Sequence, residues 1–274
     1  MPDQLLLADP SVQGRSDHAA LYFDGPDRFD EGAVAFLDRG RRIGHRLVYC
    51  VEDPHPGRLR ALEGADELLS SGGLRLARSA DAYGSGDRFD PAQQVSTFRT
   101  MLDEALRDGY SGLSVAADNT AQVQGDNEAM ARWAEYELVI DRFIAANPVA
   151  GLCGIDINQV EPSRARDLAI QHPLTCPSVN VPFRACADGA ALKIAGSVDL
   201  FACPQLGRVL SVAPRHEELV LDLSDAEFLC HNALLLLDGM ADRDRPIRAR
   251  GAGPMVRRVW TLLGLDNPWL TLTD

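Results

Sequence analysis

The sequence predicts an α/β protein of two domains, a larger one built on a parallel sheet and a smaller α/β one behind it. Between residues 18 and 172, apolar runs of strand length alternate five times with amphipathic runs of helix length. Strands apolar on both faces belong in parallel sheets covered by helices, with right-handed crossovers. At 274 residues the chain has length for two ordinary cores. The segment 174–189, with two prolines and neither helical nor strand periodicity, reads as the linker between them.

After an unpatterned start through Arg15, HAALYF (His18–Phe23) reads as the first buried strand. An acidic turn, DGPDRFDEG, leads into a helix with Ala33, Phe36, Leu37 and Gly40 on one face. RLVYCVED (Arg46–Asp53) is the second strand, and Pro54 and Pro56 break the chain before one helix carrying Leu59, Leu62, Leu68 and Leu69. LRLA (Leu74–Ala77) is a third, short strand, and Tyr83-Gly84-Ser85-Gly86 reads as a turn rather than a phosphate loop. Asp90-Pro91 supplies an N-cap and a first-turn proline for a helix with Val95, Phe98, Leu102, Ala105 and Leu106 at helical spacing. GLSVAAD (Gly112–Asp118) is the fourth strand, and a long helix with Trp133, Tyr136, Ile140, Phe143 and Ile144 follows. VAGLCGIDI (Val149–Ile157) is the fifth, and Pro162 starts a helix that finishes at His172-Pro173.

The second domain is organised around Glu218–Leu237. Leu219–Leu223 reads as a strand closed by Ser224-Asp225, and a further apolar stretch leads to the loop Cys230-His231-Asn232 and the helix former run Ala233–Leu237. Asn232 suits the helix N-cap. Upstream lies the strand ALKIAGSVDL (Ala191–Leu200), with Gly196 and Asp199 at its end; downstream lie PIRARG (Pro246–Gly251) and a helix from Pro254 to Leu263, stopped by Gly264.

This second stretch resembles the STAS domain of anti-sigma factor antagonists and sulfate transporter tails. In partner-switching antagonists the loop carries a phosphorylatable serine; here the four positions read Cys230, His231, Asn232 and Ala233, so Asn232 offers no hydroxyl. The first domain resembles the MEDS sensory domain. The resemblance rests on His18, the acidic turn at Asp24, the YCVED strand end, the Tyr83–Pro91 segment, GYSGLSVAAD, Trp133–Glu137, LCGID and His172-Pro173. It implies a RecA-like sheet over residues 10–175, a linker at 176–189, a STAS-like domain at 190–274, and a role in sensing small molecules such as hydrocarbon derivatives.

Composition narrows the functions. No apolar run approaches the roughly 20 residues of a membrane span, and Met1–Asp9 lacks the basic start and apolar core of a signal peptide. A cytoplasmic protein is expected. The six cysteines form no Cys-x-x-Cys pair, so reduced thiols are the default. Net charge is −13, and residues 1–178 hold 17 Arg against 28 Asp plus Glu, a balance of −11, which excludes a nucleic-acid footprint. Lys193 is the only lysine. A P-loop needs a lysine against the phosphates, so a RecA-like domain without one is not expected to hydrolyse ATP. Gly-x-Ser-x-Gly and His-Glu-x-x-His motifs are absent.

What remains is polar groups at strand ends. Asp24, Glu52, Asp53, Asp118 and Asp156 fall at the carboxyl ends of predicted strands, where open parallel sheets bind ligands. Asp24, Glu52 and Asp156 would bind a divalent metal or a cationic ligand if they converge; otherwise such acids cap the next helix and face water. His18, Cys153 and His172 would form a soft metal site if the fold gathers them, and otherwise serve the core. Trp133, Tyr136 and Phe143 fit a packing face.

The expected function is regulatory. The first domain binds a small effector among His18, Asp24, Glu52, Asp53, Asp118, Cys153, Asp156 and His172, with no cofactor or resident metal. The second binds an anti-sigma factor or kinase-like protein through Cys230, His231, Asn232 and Ala233, with Asp199 and Asp222 shaping nearby strand ends. The alternatives are an enzyme or enzyme accessory using the strand-end acids, and a non-catalytic scaffold or homo-oligomer.

Overall fold

Near-continuous apolar strands have to be covered on both faces, and the computed structural model, which describes residues 17–83, 89–213 and 217–274, shows that arrangement in the first of two units. The units meet in sequence between Val179 and Asn180. The first contains strand β1 (Asp17–Phe23), helix α1 (Pro26–Arg42), β2 (His45–Val51), α2 (Ala65–Ser71), β3 (Leu74–Arg78) and α3 (Ser79–Tyr83). It continues with α4 (Pro91–Arg107), β4 (Gly112–Asp118), α5 (Thr120–Val123), α6 (Asn127–Ala146), β5 (Val149–Asp156), α7 (Pro162–Ile170) and β6 (Leu174–Cys176). All six strands run parallel in the order β3-β2-β4-β5-β1-β6.

The register sorts the side chains onto two unlike faces. Ala20 lies opposite Cys153, Cys153 opposite Ala117 and Ala117 opposite Cys50, so these small residues share one face. Ala19, Leu21, Phe23, Leu47, Tyr49, Val51, Ala116 and Leu152 share the other, where Phe29, Ala33, Phe36 and Leu37 of α1 complete the core. α4 starts as the sequence dictates: Asp90 accepts hydrogen bonds from the backbone N–H groups of Ala92 and Gln93, with Pro91 in the first turn. Asp126 caps α6 in the same way, through Glu128 and Ala129.

Three expectations are corrected. The single helix expected across Leu59–Leu69 is two pieces, a 3-10 turn at Pro56–Leu59 and α2, because Gly64 adopts φ +71 between them. The helix opened by Pro162 ends at Ile170, before His172. The expected linker 176–189 contains the boundary between the units, but its second half is a strand, since Phe183–Asp188 pairs antiparallel with the strand that follows it. The turn expected at Gly84–Gly86 lies outside the described residues.

The second unit opens on that hairpin, β7 (Phe183–Asp188) and β8 (Ala191–Val198), and proceeds through α8 (Cys203–Ser211), β9 (Leu219–Asp222), β10 (Ala226–Leu229), α9 (His231–Met240), β11 (Ile247–Arg250), α10 (Pro254–Leu263) and β12 (Leu270–Leu272). β10, β8, β9, β11 and β12 are parallel neighbours in that order, making a smaller mixed sheet with β7. Asn232 is not the N-cap of α9. The Cys230 N–H extends strand pairing by donating to Val198 O, while the Cys230 carbonyl accepts the first helical bonds from Ala233 and Leu234. Strand therefore passes into helix across one residue, and Asn232 falls inside the first turn. Among the described residues no helix is long and apolar enough to cross a membrane.

Gly154 marks a close approach of α1 to the sheet: a Cβ there would stand 2.4 Å from the Phe29 ring. A phenyl ring held in a filled core cannot step aside cheaply. Gly154→Ala is expected to cost about 1–3 kcal/mol through overpacking, read as a lowered urea midpoint with an unchanged slope.

Candidate functional site

Small residues on the sheet face beneath α4 and α6 leave room that large ones would fill. A cavity of about 380 Å³ lies there, lined by Val48, Cys50, Ala77, Gln94, Phe98, Met101 and Val115 among others. This volume falls within the usual range for small-molecule sites. A second, tighter pocket of about 20 Å³ shares Tyr83, Phe98 and Val115 with the first and reaches Tyr136, His18 and Cys153. The lining residues Tyr83 and Tyr136 belong to an aromatic wall: Trp133 behind them packs on Tyr136 at 4.8 Å between centroids, Tyr83 sits edge-on to Trp133 at 5.7 Å, and Phe89 stands 5.3 Å from both Trp133 and Tyr136. Burial raises the Tyr83 and Tyr136 pKa values well above 10, so both hydroxyls stay neutral.

Behind this wall the fold gathers four ionisable side chains that lie far apart in sequence. β1 supplies His18, α6 Glu137, β5 Cys153 and the connection after α7 His172, all buried. Glu137 Oε2 lies 3.3 Å from His18 Nε2 and 3.5 Å from His172 Nε2, and Cys153 Sγ lies 3.5 Å from His18 Nε2. The two imidazoles stand 4.3 Å apart, centroid to centroid. Each is held from its far side: His18 Nδ1 donates to Asp141 Oδ1 at 3.1 Å and His172 Nδ1 to Leu168 O at 2.8 Å. Gln171 anchors the neighbouring backbone by donating from Nε2 to Ala134 O at 2.8 Å. Gly151 leaves the space beside His18 and Ile144, since a Cβ there would come within 3.1 Å of Ile144 Cδ1.

The electrostatics follow from burial and proximity. Burial alone would lower the His18 pKa, but the Cys153 sulfur and the Asp141 and Glu137 carboxylates raise it well above 6.5. Burial lowers His172 against the pull of Glu137. Burial would raise Glu137, yet the two histidines outweigh it and hold the carboxyl below 4.5. Burial, then Glu137, raises the Cys153 thiol.

Of the sequence-predicted residues, His18, Cys153 and His172 come together in one ligand cluster, and the strand-end acids join no such cluster among the described residues, although Asp118 and Asp156 both bond Thr120. Asp24, Glu52 and Asp53 are exposed to water. Asp156 is buried, but its carboxylate accepts from Asn158 N at 2.9 Å and Gln159 Nε2 at 2.7 Å within its own loop. Asp118 accepts from Thr120 N and Oγ1, and burial raises its pKa. These two acids cap turns. Sequence reading missed Glu137 and Asp141, although a signal was present: with Trp133 and Ile144 they lie on the buried stripe of α6, where charge is costly unless it has a task.

In the second unit the expected contact residues divide. Cys230 and Ala233 are buried and cannot present a surface, because α9 turns them into the core. Asp222 is nearly buried and paired with Arg250 at 3.0 Å, and its pKa is lowered by Ser224 and then by Arg250. His231, Asn232 and Asp199 remain accessible, and beside Asp199 the sequence reading overlooked Leu200 and Phe201, the latter 84 % exposed. Cys203 Sγ lies 3.4 Å from Cys230 Sγ.

The family model of the MEDS domain, described as the methanogen/methylotroph, DcmR sensory domain, matches residues 17–173. No match to the chain is found among the curated proteins.

Desolvation, followed by the hydrogen bond to Cys230, pushes the Cys203 thiol up to about 12. The thiolate is the nucleophile, so Cys203 is expected to alkylate with iodoacetamide at pH 8 at least about a hundredfold more slowly than free cysteine. Mass-spectrometric time courses check this, with urea-unfolded protein as the reference.

Proposed function

The chain belongs to the MEDS family, and from that premise we propose a regulatory protein whose first unit binds a small, largely apolar effector in the cleft beneath α4. The cavity of about 380 Å³ carries this reading. Its walls are mostly aliphatic and aromatic, the buried Gln94 and the exposed Arg78, Asp81 and Thr97 give polar groups for orientation, and the mixed charge of Arg78 and Asp81 suits a compact organic molecule better than a polyphosphate. The lack of any lysine in residues 1–178 and the exposed acids Asp24, Glu52 and Asp53 speak against a nucleotide at the sheet edge. We propose recognition without turnover, in the cytoplasm.

The second unit is then the output module. A hairpin followed by parallel strands alternating with helices, with the strand-to-helix passage at Cys230, supports a STAS-like reading. Its partner is an anti-sigma factor or a related kinase-like protein. Asp199, Leu200, Phe201, His231 and Asn232 offer the accessible surface, and a single exposed aromatic such as Phe201 suits an anchoring contact. Asn232 at the start of α9 takes the place of a phosphorylatable residue, so control would come from the effector.

Two measurements test these assignments. Short-chain alcohols, amines and halogenated alkanes are screened by thermal unfolding of the full chain; a saturating effector should raise the midpoint by about 2–4 °C. Met101→Phe, which fills the cleft from its half-buried edge, should remove the shift; no shift with any compound on the wild-type chain would count against the cleft. Phe201→Ser should change stability by less than about 0.5 kcal/mol and weaken binding to a candidate anti-sigma factor at least about tenfold, measured by titration calorimetry.

A further inference from the structure

We propose that His18, Glu137, Cys153 and His172 form a binding site for one borderline divalent metal ion of the Zn²⁺ kind. Ligand atoms of a tetrahedral zinc ion lie about 2.0–2.3 Å from the metal, which places them roughly 3.3–3.6 Å from one another. Three of the separations here are 3.3, 3.5 and 3.5 Å, and all four ligand atoms lie within 4.8 Å of one another. A modest contraction would complete the coordination shell.

The outer contacts point the same way. A carboxylate and a backbone carbonyl can only accept, so Asp141 and Leu168 O keep a proton on each Nδ1 and leave each Nε2 facing the centre as the nitrogen to meet a metal. This is the usual support of a metal-bound histidine. Glu137 Oε2, buried and 1 % exposed as a residue, meets no hydrogen-bond donor in good geometry. Such an oxygen, held only by imidazole nitrogens at 3.3 and 3.5 Å, gains from a cation set between them. Two imidazoles, one thiolate and one carboxylate carry a charge of about −2, which a divalent ion cancels. The mixed N₂SO set selects a borderline ion over Mg²⁺ or Ca²⁺, which prefer all-oxygen shells.

Four protein ligands make a closed site, whose primary effect is to clamp β1, β5, α6 and the α7–β6 connection together behind the cleft. Binding displaces to solvent the Cys153 thiol proton and the Nε2 proton of His18. Metal binding stands independently of the effector reading, since it is measured with no effector present.

The test uses the full chain, stripped with chelator and titrated with Co²⁺ as a spectroscopic probe and then with Zn²⁺. One equivalent of Co²⁺ should give four-coordinate visible bands and a thiolate-to-metal charge-transfer band, both bleached by Zn²⁺, with a thermal midpoint raised by about 5 °C or more. Cys153→Ser should lose the charge-transfer band and Cys230→Ser, in the other unit, should keep it. Should Cys153→Ser fail to fold, the near-isosteric Glu137→Gln decides: it should keep the charge-transfer band and bind at least tenfold more weakly. A folded wild-type chain without these bands, a band that survives in Cys153→Ser, or an unchanged affinity in Glu137→Gln would overturn the site.

Discussion

The pairing of β1 with β5 is the constraint on which the first unit depends. Setting Ala20 opposite Cys153 and His18 opposite Gly151 sends Leu21, Phe23 and Leu152 to the α1 face and leaves His18, Ala20, Gly151 and Cys153 on the other. A shift of one residue would exchange the two faces. Phe23 and Leu21 would then meet α6 in place of His18 and Ala20, the cavities would fill, and His18 would be carried away from Glu137. The same alternation of large and small residues thus makes the core on one side and the room for a ligand on the other.

The layers were legible in the sequence because the signals for them are local. Alternation of apolar strand runs with amphipathic helix runs, and the Asp90-Pro91 pair, depend only on neighbours a few residues away. Legibility failed where one residue overrode a pattern. Gly64 at positive φ cuts an apparently continuous leucine helix, and Cys230, shared between a strand ladder and a helix, moves the helix start away from the better capping residue, Asn232.

The candidate site was legible in part. His18, Cys153 and His172 are visible as chemistry, but their convergence is set by strand order: β1 lies between β5 and β6, so residues 135 positions apart in sequence come to lie on adjacent strands. Nothing local encodes that. Glu137 was hidden for the opposite reason, since a glutamate in a long helix ordinarily reads as solvated surface. Its distinguishing mark is phase: with Trp133 and Asp141 it sits one helical turn apart along the buried face of α6.

General rules for open parallel sheets place ligands beyond the carboxyl ends of the strands, and here the charges oppose a phosphate ligand at that edge. Asp24, Glu52 and Asp53 stand exposed there in a stretch of chain with a net balance of −11 and no lysine. Such a field repels anions and does nothing for a neutral apolar molecule. The chemistry instead lies under the helices, near the opposite end of β1, where His18 occupies the second position of the strand. In that dry interior an unscreened carboxylate needs a partner, and the positive charge close to Glu137 among the described ion pairs comes from His18. The acids that were the obvious candidates are therefore surface and turn groups, and the single buried glutamate between two imidazoles is where electrostatics leaves something for a ligand to do.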